Sequence, residues 1–267
     1  MKNRPERILK ALNQAMKAVG AKKGIIAIED NKPKAFDTMV SALEKFAKEN
    51  SSFDIEIKKL QTKYPQGDEK RIIDVCLNRQ VPSGGLPMDV GAIVSNVSTM
   101  NAIYEAIYMD KPLYERIVTV TGKSVKNPTN MLVRCGTEFG YLIEEAGGAD
   151  DIAKLVNGGP MCGIAQPDLT RPTEKASNCV LVLASDEAEP LEVSPCIRCG
   201  RCVDVCPVYL LPLYIHKFSL EERFEKAQEL NIMDCIECGS CSFVCPSNRP
   251  LVEAIKFGKR QIRQAGK

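Results

Sequence analysis

Tryptophan is absent from the 267 residues, histidine occurs once, and phenylalanine and tyrosine together number only 15. A surface that stacks nucleobases needs aromatic side chains in number, so a nucleic-acid platform is excluded. Lys and Arg total 36 against 34 Asp and Glu, which leaves no basic field for phosphates. Nowhere does an apolar run approach the ~20 residues that span a bilayer. The opening, MKNRPERILK, also lacks the apolar segment of a signal peptide. These absences lead us to expect a soluble or peripherally attached chain in a reducing cytoplasm. No G-x-G-x-x-G follows a strand-like run, so the usual dinucleotide fingerprint is missing too.

What the chain does have is cysteine, arranged twice in one pattern. Residues 196–207 read CIRCGRCVDVCP and residues 235–246 read CIECGSCSFVCP. Each is C-x2-C-x2-C-x3-C-P, the spacing in which three thiolates hold one cubane iron-sulfur cluster and the fourth serves the other cluster. The candidate ligand sets are therefore crossed: Cys196, Cys199, Cys202 and Cys245 for one [4Fe-4S] cluster, and Cys235, Cys238, Cys241 and Cys206 for the second. Gly200 and Gly239 allow close approach of the backbone to sulfide, and Pro207 and Pro246 turn the chain away. A disulfide framework does not suit a chain of this length without a secretory signal. Structural zinc takes four ligands per site and has no need of two identical runs each closed by proline. Cys76, Cys135, Cys162 and Cys179 follow no ligand spacing and read as small hydrophobes, although Cys162 lies in the glycine-rich turn NGGPMCG. His216 reads as packed or surface-exposed, not catalytic.

Around these runs, the hydrophobic period places the other elements. Ile8, Leu9, Leu12, Ala15, Met16 and Val19 form a helical stripe stopped by Gly20. GIIAI at 24–28 suits a strand buried on both faces. Phe36, Met39, Val40, Leu43 and Phe46 mark a helix entered near Pro33. Phe53, Ile55 and Ile57 alternate as a strand, and a helix is expected over 68–77. Helix and strand in alternation imply a parallel sheet. In KYPQGDEK, residues 63–70, two carboxylates sit at that helix's start, and Asn96 opens another helical pattern. Beyond Lys111-Pro112, ERIVTVTG, NMLVRCG and NCVLVLAS read as strands and EFGYLIEEAGG as a short helix, a compact α+β module left through SDEAEPLE, residues 185–192. Between the cysteine runs, Ser219 and Glu222 have the capping-box spacing for a helix over LEERFEKAQEL. The last basic residues, Lys256, Lys259, Arg260, Arg263 and Lys267, read as a solvated helix end. The expected organisation is an α/β domain over 1–110, an α+β module over 111–190 and a helical two-cluster, ferredoxin-like domain over 191–267.

Taken in order, KYPQGDEK, VPSGGLP, RIVTVTG with VRCGT and LIEEAGG, NGGPMCGIAQ and the paired cysteine runs resemble the C subunit of the Rnf electron-transport complex (RnfC). The likeness covers nearly the whole chain from about residue 6. It implies a partial flavin domain similar to that of the NADH-binding subunit of respiratory complex I, then an SLBB-like module, then two clusters. It also implies FMN and NADH as cofactors, ferredoxin-type redox partners and the other subunits of an ion-translocating membrane complex, with the chain peripheral on its cytoplasmic side. By that resemblance Tyr64, Gly67, Asp68 and Glu69 match the loop beside flavin and nicotinamide, and Asn96 and Thr99 match a pair at the flavin phosphate and ribityl side. The family's glycine-rich flavin loop, its acidic segment under the isoalloxazine and its amino-terminal barrel-like domain have no counterpart here, as in a truncated chain. Two other readings stay open: an electron-carrying docking module without flavin, and a soluble RnfC-like reductase such as a proline-reductase partner or corrinoid reductase. Within the runs, Arg198 stands where the second run has Glu237, and Arg201 where it has Ser240. Positive charge favours a reduced cluster, so the first cluster is expected to have the higher potential, and Arg198→Glu should lower it in a redox titration.

Overall fold

In the computed structural model, which describes residues 1–49, 54–189 and 191–266, the apolar stripe near the start forms α1, Pro5–Val19. Ile8, Leu9 and Met16 are buried, and Gly20 ends the helix in the left-handed region. β1 (Lys23–Glu29), α2 (Pro33–Glu49) and β2 (Asp54–Leu60) follow as a strand-helix-strand unit whose strands pair in parallel, Ile26 opposite Ile57. Phe53, expected in the second strand, lies outside the described residues. Burial on both faces of the first strand is not what forms. Gly24, Ile26 and Ile28 are buried while Ile25 and Ala27 are half-buried, because among the described residues this sheet has only two strands. Met39, Ala42 and Phe46 of α2 close the core over Ile26 and Ile28.

Next come α3 (Glu69–Leu77), a single 3-10 turn at Pro87–Val90 and α4 (Val97–Met109). α1 and α4 are tied at Glu105, whose carboxylate meets Arg7 at 3.2 Å and Arg4 and Lys111 at 3.6 Å. These elements form one compact unit, Met1–Leu113.

The second unit, Tyr114–Lys267, begins with a mixed sheet. Its strands are β3 (Glu115–Gly122), β4 (Thr129–Arg134), β5 (Lys154–Asn157), β6 (Ile164–Gln166) and β7 (Cys179–Leu183), in the order β4-β3-β7-β5-β6. Only the β3–β7 pair is parallel. Phe139, Leu142 and Ile143 of α5, Phe139–Glu145, pack on Val118, Val120, Val180 and Val182 to make a dry core. The expected exit linker instead starts with a turn of helix, α6 (Ser185–Ala188), anchored where Ser185 donates its backbone N–H to Asp151 at 2.7 Å. Pro190 in that stretch lies outside the described residues.

The carboxy-terminal region is helical: α7 (Arg201–Asp204), α8 (Pro212–Leu220), α9 (Phe224–Glu229), α10 (Ser240–Phe243) and α11 (Leu251–Ala265). Here the capping-box reading fails. Ser219 lies inside the last turn of α8, fully buried, because Pro212 starts that helix earlier and Glu222, with φ of 56°, breaks the chain before α9. Ser219 lies so close to Gly258 of α11 that a β-carbon at 258 would collide with its hydroxyl. His216 is packed, 2% exposed, with its Nδ1 unpartnered. Among the described residues no helix is long and apolar enough to cross a membrane.

Two outcomes follow from this packing. A β-carbon on Gly122 (φ 152°) would run into the Val182 carbonyl across the β3–β7 pair, so Gly122→Ala should cost about 3 kcal/mol, read as a lowered melting temperature. Burial, with help from the Arg249 charge, holds the His216 imidazole below its ordinary value of 6.5. The unfolded chain therefore binds the extra proton more readily, and stability is lost as pH falls through that ordinary value. His216→Phe should flatten the fall of the urea midpoint between about pH 7 and about pH 5.

Candidate iron-sulfur and flavin sites

The repeated cysteine spacing produces the same backbone twice. Arg198 and Glu237 take left-handed φ values of 57° and 56°, and Gly200 and Gly239 take 79° and 78°. In each run the residue two beyond the first cysteine turns its N–H back to that sulfur, Arg198 to Cys196 and Glu237 to Cys235, both at 3.4 Å. Backbone N–H groups gathered this way form a concavity for negative charge, here the charge of thiolates. The short helices α7 and α10 then carry the third cysteine of each run, Cys202 and Cys241.

The fourth cysteine of the first run leaves its own loop. Cys206 joins Cys235, Cys238 and Cys241 in lining a single cavity, closed on its apolar sides by Leu210, Val252 and Ile255. Among the described residues no three His, Cys, Asp or Glu groups meet at a point that would hold one metal ion, so these thiols ring a space instead of converging. Burial pushes the Cys241 thiol up to about 12, with further pressure from Cys235, Cys238 and Cys206. Cys235 is raised by burial first, then by Cys206 and Cys238, while Lys259 opposes the rise. On the other side, Cys202 is raised by burial and then by Cys245 and Cys196, its partners in the candidate first set. Metal centres bind thiolates, so loading such thiols would release protons.

The two sets differ in their surroundings. Cys196 and Cys199 are exposed, as is Ile197 at 68%, whereas Cys241 is buried and Ser240 is 5% exposed. Cover for the second run comes from the turn after β5. A β-carbon on Gly239 would lie 2.6 Å from the Met161 carbonyl oxygen, and the Cys162 thiol donates to the Glu237 carbonyl at 3.6 Å. That places Cys162 against a ligand loop, where it is exposed and not a buried hydrophobe. Of the other scattered cysteines Cys76 is buried and Cys135 and Cys179 are half-buried.

One residue of the site departs from its sequence expectation. Lys259, expected in a solvated helix end, is 4% exposed; Lys267 of that group lies outside the described residues. The Lys259 ammonium donates to the Cys235 carbonyl at 2.6 Å and pairs with the Glu237 carboxylate at 2.6 Å. The available signal was its register. Val252, Ile255, Lys259 and Ile262 fall on one stripe of α11, which puts the lysine on the buried face. This pair also changes the charge comparison between the runs. Glu237 is countered at short range, and Arg198 faces water that screens it.

The flavin candidates occupy two helix starts of the first unit. Asp68 caps α3, its carboxylate accepting from Lys70 and Arg71 N–H at 3.1 and 3.3 Å, and Asn96 caps α4 by accepting from Ser98 at 2.8 Å. Tyr64 is 51% exposed, and Gly67, Glu69 and Thr99 are exposed. A β-carbon on Gly67 would meet nothing and its φ is not left-handed, so the local fold does not itself require glycine there. The position leaves room for a close approach by a ligand.

Comparison with known proteins assigns a domain to each region. Residues 1–105 match the Nuo51 FMN-binding domain, 117–165 the SLBB domain and 191–246 the 4Fe-4S dicluster domain. The C subunit of the Na(+)-translocating ferredoxin:NAD(+) oxidoreductase complex of Acetobacterium woodii is 41% identical over 98% of this chain and 58% of its own length. The proton-translocating counterpart from Clostridium ljungdahlii is 40% identical over 98% and 56% respectively. The C subunit of the ion-translocating oxidoreductase complex of Pseudomonas aeruginosa is 37% identical over 99% of this chain and 34% of its own. The chain thus spans little more than half the length of the first two. A chain of an NAD+-reducing [NiFe]-hydrogenase shares the fold, with a TM-score of 0.64 at 18% identity over 98% of this chain and 52% of that one.

The unequal cover of the two runs gives a comparison to measure. Gly200→Ala carries only the cost of a left-handed alanine, roughly 1–2 kcal/mol, because nothing lies within 4 Å of the new carbon. Gly239→Ala adds the collision with Met161. After identical anaerobic reconstitution, Gly239→Ala should lose a far larger share of its iron than Gly200→Ala.

Proposed function

We infer that the chain belongs with the C subunits of ion-translocating oxidoreductase complexes, to which it is 41% and 37% identical. On that footing we propose that it carries single electrons through two [4Fe-4S] clusters between a flavin site and membrane partners of a ferredoxin:NAD+ oxidoreductase. Cys196, Cys199, Cys202 and Cys245 would hold the first cluster, and Cys235, Cys238, Cys241 and Cys206 the second. The observation that carries the proposal is the cavity that takes three thiols from one run and the fourth from the other. Two centres built this way would share their loops, as a relay requires. The exposed Cys196–Cys199 edge suits transfer to a partner, and the buried Cys241 side suits retention inside the chain.

NADH gives up two electrons as a hydride and a cluster accepts one at a time, so the conversion needs a flavin, and FMN supplies it when bound. Tyr64, Gly67, Asp68 and Glu69 would lie along the flavin and nicotinamide, and Asn96 and Thr99 at the phosphate and ribityl side. The uncrowded Gly67 supports this reading. Location at the cytoplasmic face of a membrane complex, with ferredoxin-type partners, belongs to the same proposal. A second reading, an electron carrier without flavin, is favoured by Asp68 and Asn96, whose side-chain oxygens already serve as helix caps.

Anaerobic reconstitution with iron, sulfide and FMN, followed by NADH, separates the two. The proposal expects bleaching of flavin absorbance together with the electron paramagnetic resonance signals of reduced clusters. Full cluster loading with no retained FMN and no reduction by NADH would support the carrier alone.

A further inference from the structure

Among the described residues Lys259 is the only lysine, arginine, aspartate or glutamate that is buried. Removing an ammonium from water costs several kcal/mol unless partners replace the lost hydration. Both partners of Lys259 lie on one loop: the carbonyl of Cys235, and the carboxylate of Glu237 between Cys235 and Cys238. α11 thereby fixes a positive charge to the backbone that carries two candidate ligands of the second cluster. Among the described residues the first run has no such fixture, since its own cations, Arg198 and Arg201, are exposed.

We propose that Lys259 is a positioning residue that sets the reduction potential of the second cluster, offsetting the charge of Glu237 and favouring the electron on that centre. The inference rests on the two-cluster reading above. Its physical basis is that net charge and burial tune a cluster's potential, and that a charge in a poorly solvated site acts with little screening. A thiolate-bound centre gains negative charge on reduction, so a cation held beside it stabilises the reduced form. Glu237 acts in the opposite sense from the same ion pair, which makes the two residues a matched test.

The test is a dithionite redox titration of the full, anaerobically loaded chain, followed by electron paramagnetic resonance. The second cluster's signal is identified by its loss from a Cys241→Ser control. Lys259→Met should weaken that cluster's hold on its electron at least tenfold, a shift of about 59 mV to more negative potential for a one-electron couple. Glu237→Gln should shift the same midpoint to more positive potential. The first cluster's midpoint should stay in place in both variants. Packing damage alone gives no reason for opposite signs. Shifts in the same direction, or unchanged midpoints, would overturn the inference while leaving the two-cluster reading intact. If Lys259→Met does not retain the cluster, Glu237→Gln decides alone: a positive shift supports the inference and any other result overturns it. Wild-type protein with far fewer than about eight irons would contradict the two-cluster reading itself, and this inference with it.

Discussion

In the proposed ligation neither cysteine run completes a four-thiolate cage alone, because its last cysteine serves the other run's centre. Cys206 lines the cavity of Cys235, Cys238 and Cys241, and Cys202 and Cys245 both pack against Cys241, Leu251 and Val252. Such an exchange would bind the carboxy-terminal region into a single structure. The segment between the runs must hold α8 and α9 so that both loops face each other. The close packing of Ser219 on Gly258 keeps α8 and α11 in that arrangement. The apolar residues available are few: Leu210, Ile215, Ala227, Ile232 and Ile255 form the main cluster of buried side chains there. A core of that size is marginal without a bound centre, so cluster binding and folding are coupled.

The charges follow from the same constraint. Burial raises the thiols of Cys202, Cys235 and Cys241, the last to about 12. N–H donors in the left-handed turns and the buried Lys259 are the protein's means of stabilising negative charge there, in addition to iron. The Met161 turn packs closely on Gly239 of the second run. Two backbones of one shape thus sit in different surroundings, the first with Cys196 and Cys199 exposed and the second with Cys235 and Cys238 half-buried and Cys241 buried, which suits a pair of centres with different tasks.

What could be read from the sequence was what depends on local spacing. The cysteine runs, α1 with its Gly20 stop, the start of α3 at Asp68, the Asn96 cap and the strands β3 and β7 all follow from residues close in the chain. What could not be read depends on distant partners. β5 and β6 have four and three residues, too short for a periodic signal, and exist because β7 and each other offer edges to pair with. Ser219 matched a capping pattern but went to a helix interface, and Lys259 matched a solvated tail but found two acceptors on a loop 24 residues away and less. In the first unit two of the candidate flavin residues, Asp68 and Asn96, are used by the fold as caps, so local geometry alone does not separate structure from function there.

The crossing of ligands is the claim on which the rest depends, and Cys206→Ser tests it most directly. Iron content and the electron paramagnetic resonance spectrum of this variant should be compared with those of Cys199→Ser and Cys238→Ser after the same anaerobic loading. Crossed ligation predicts that Cys206→Ser loses the centre that Cys238→Ser loses, although Cys206 belongs to the run of Cys199. A spectrum matching Cys199→Ser instead would contradict it.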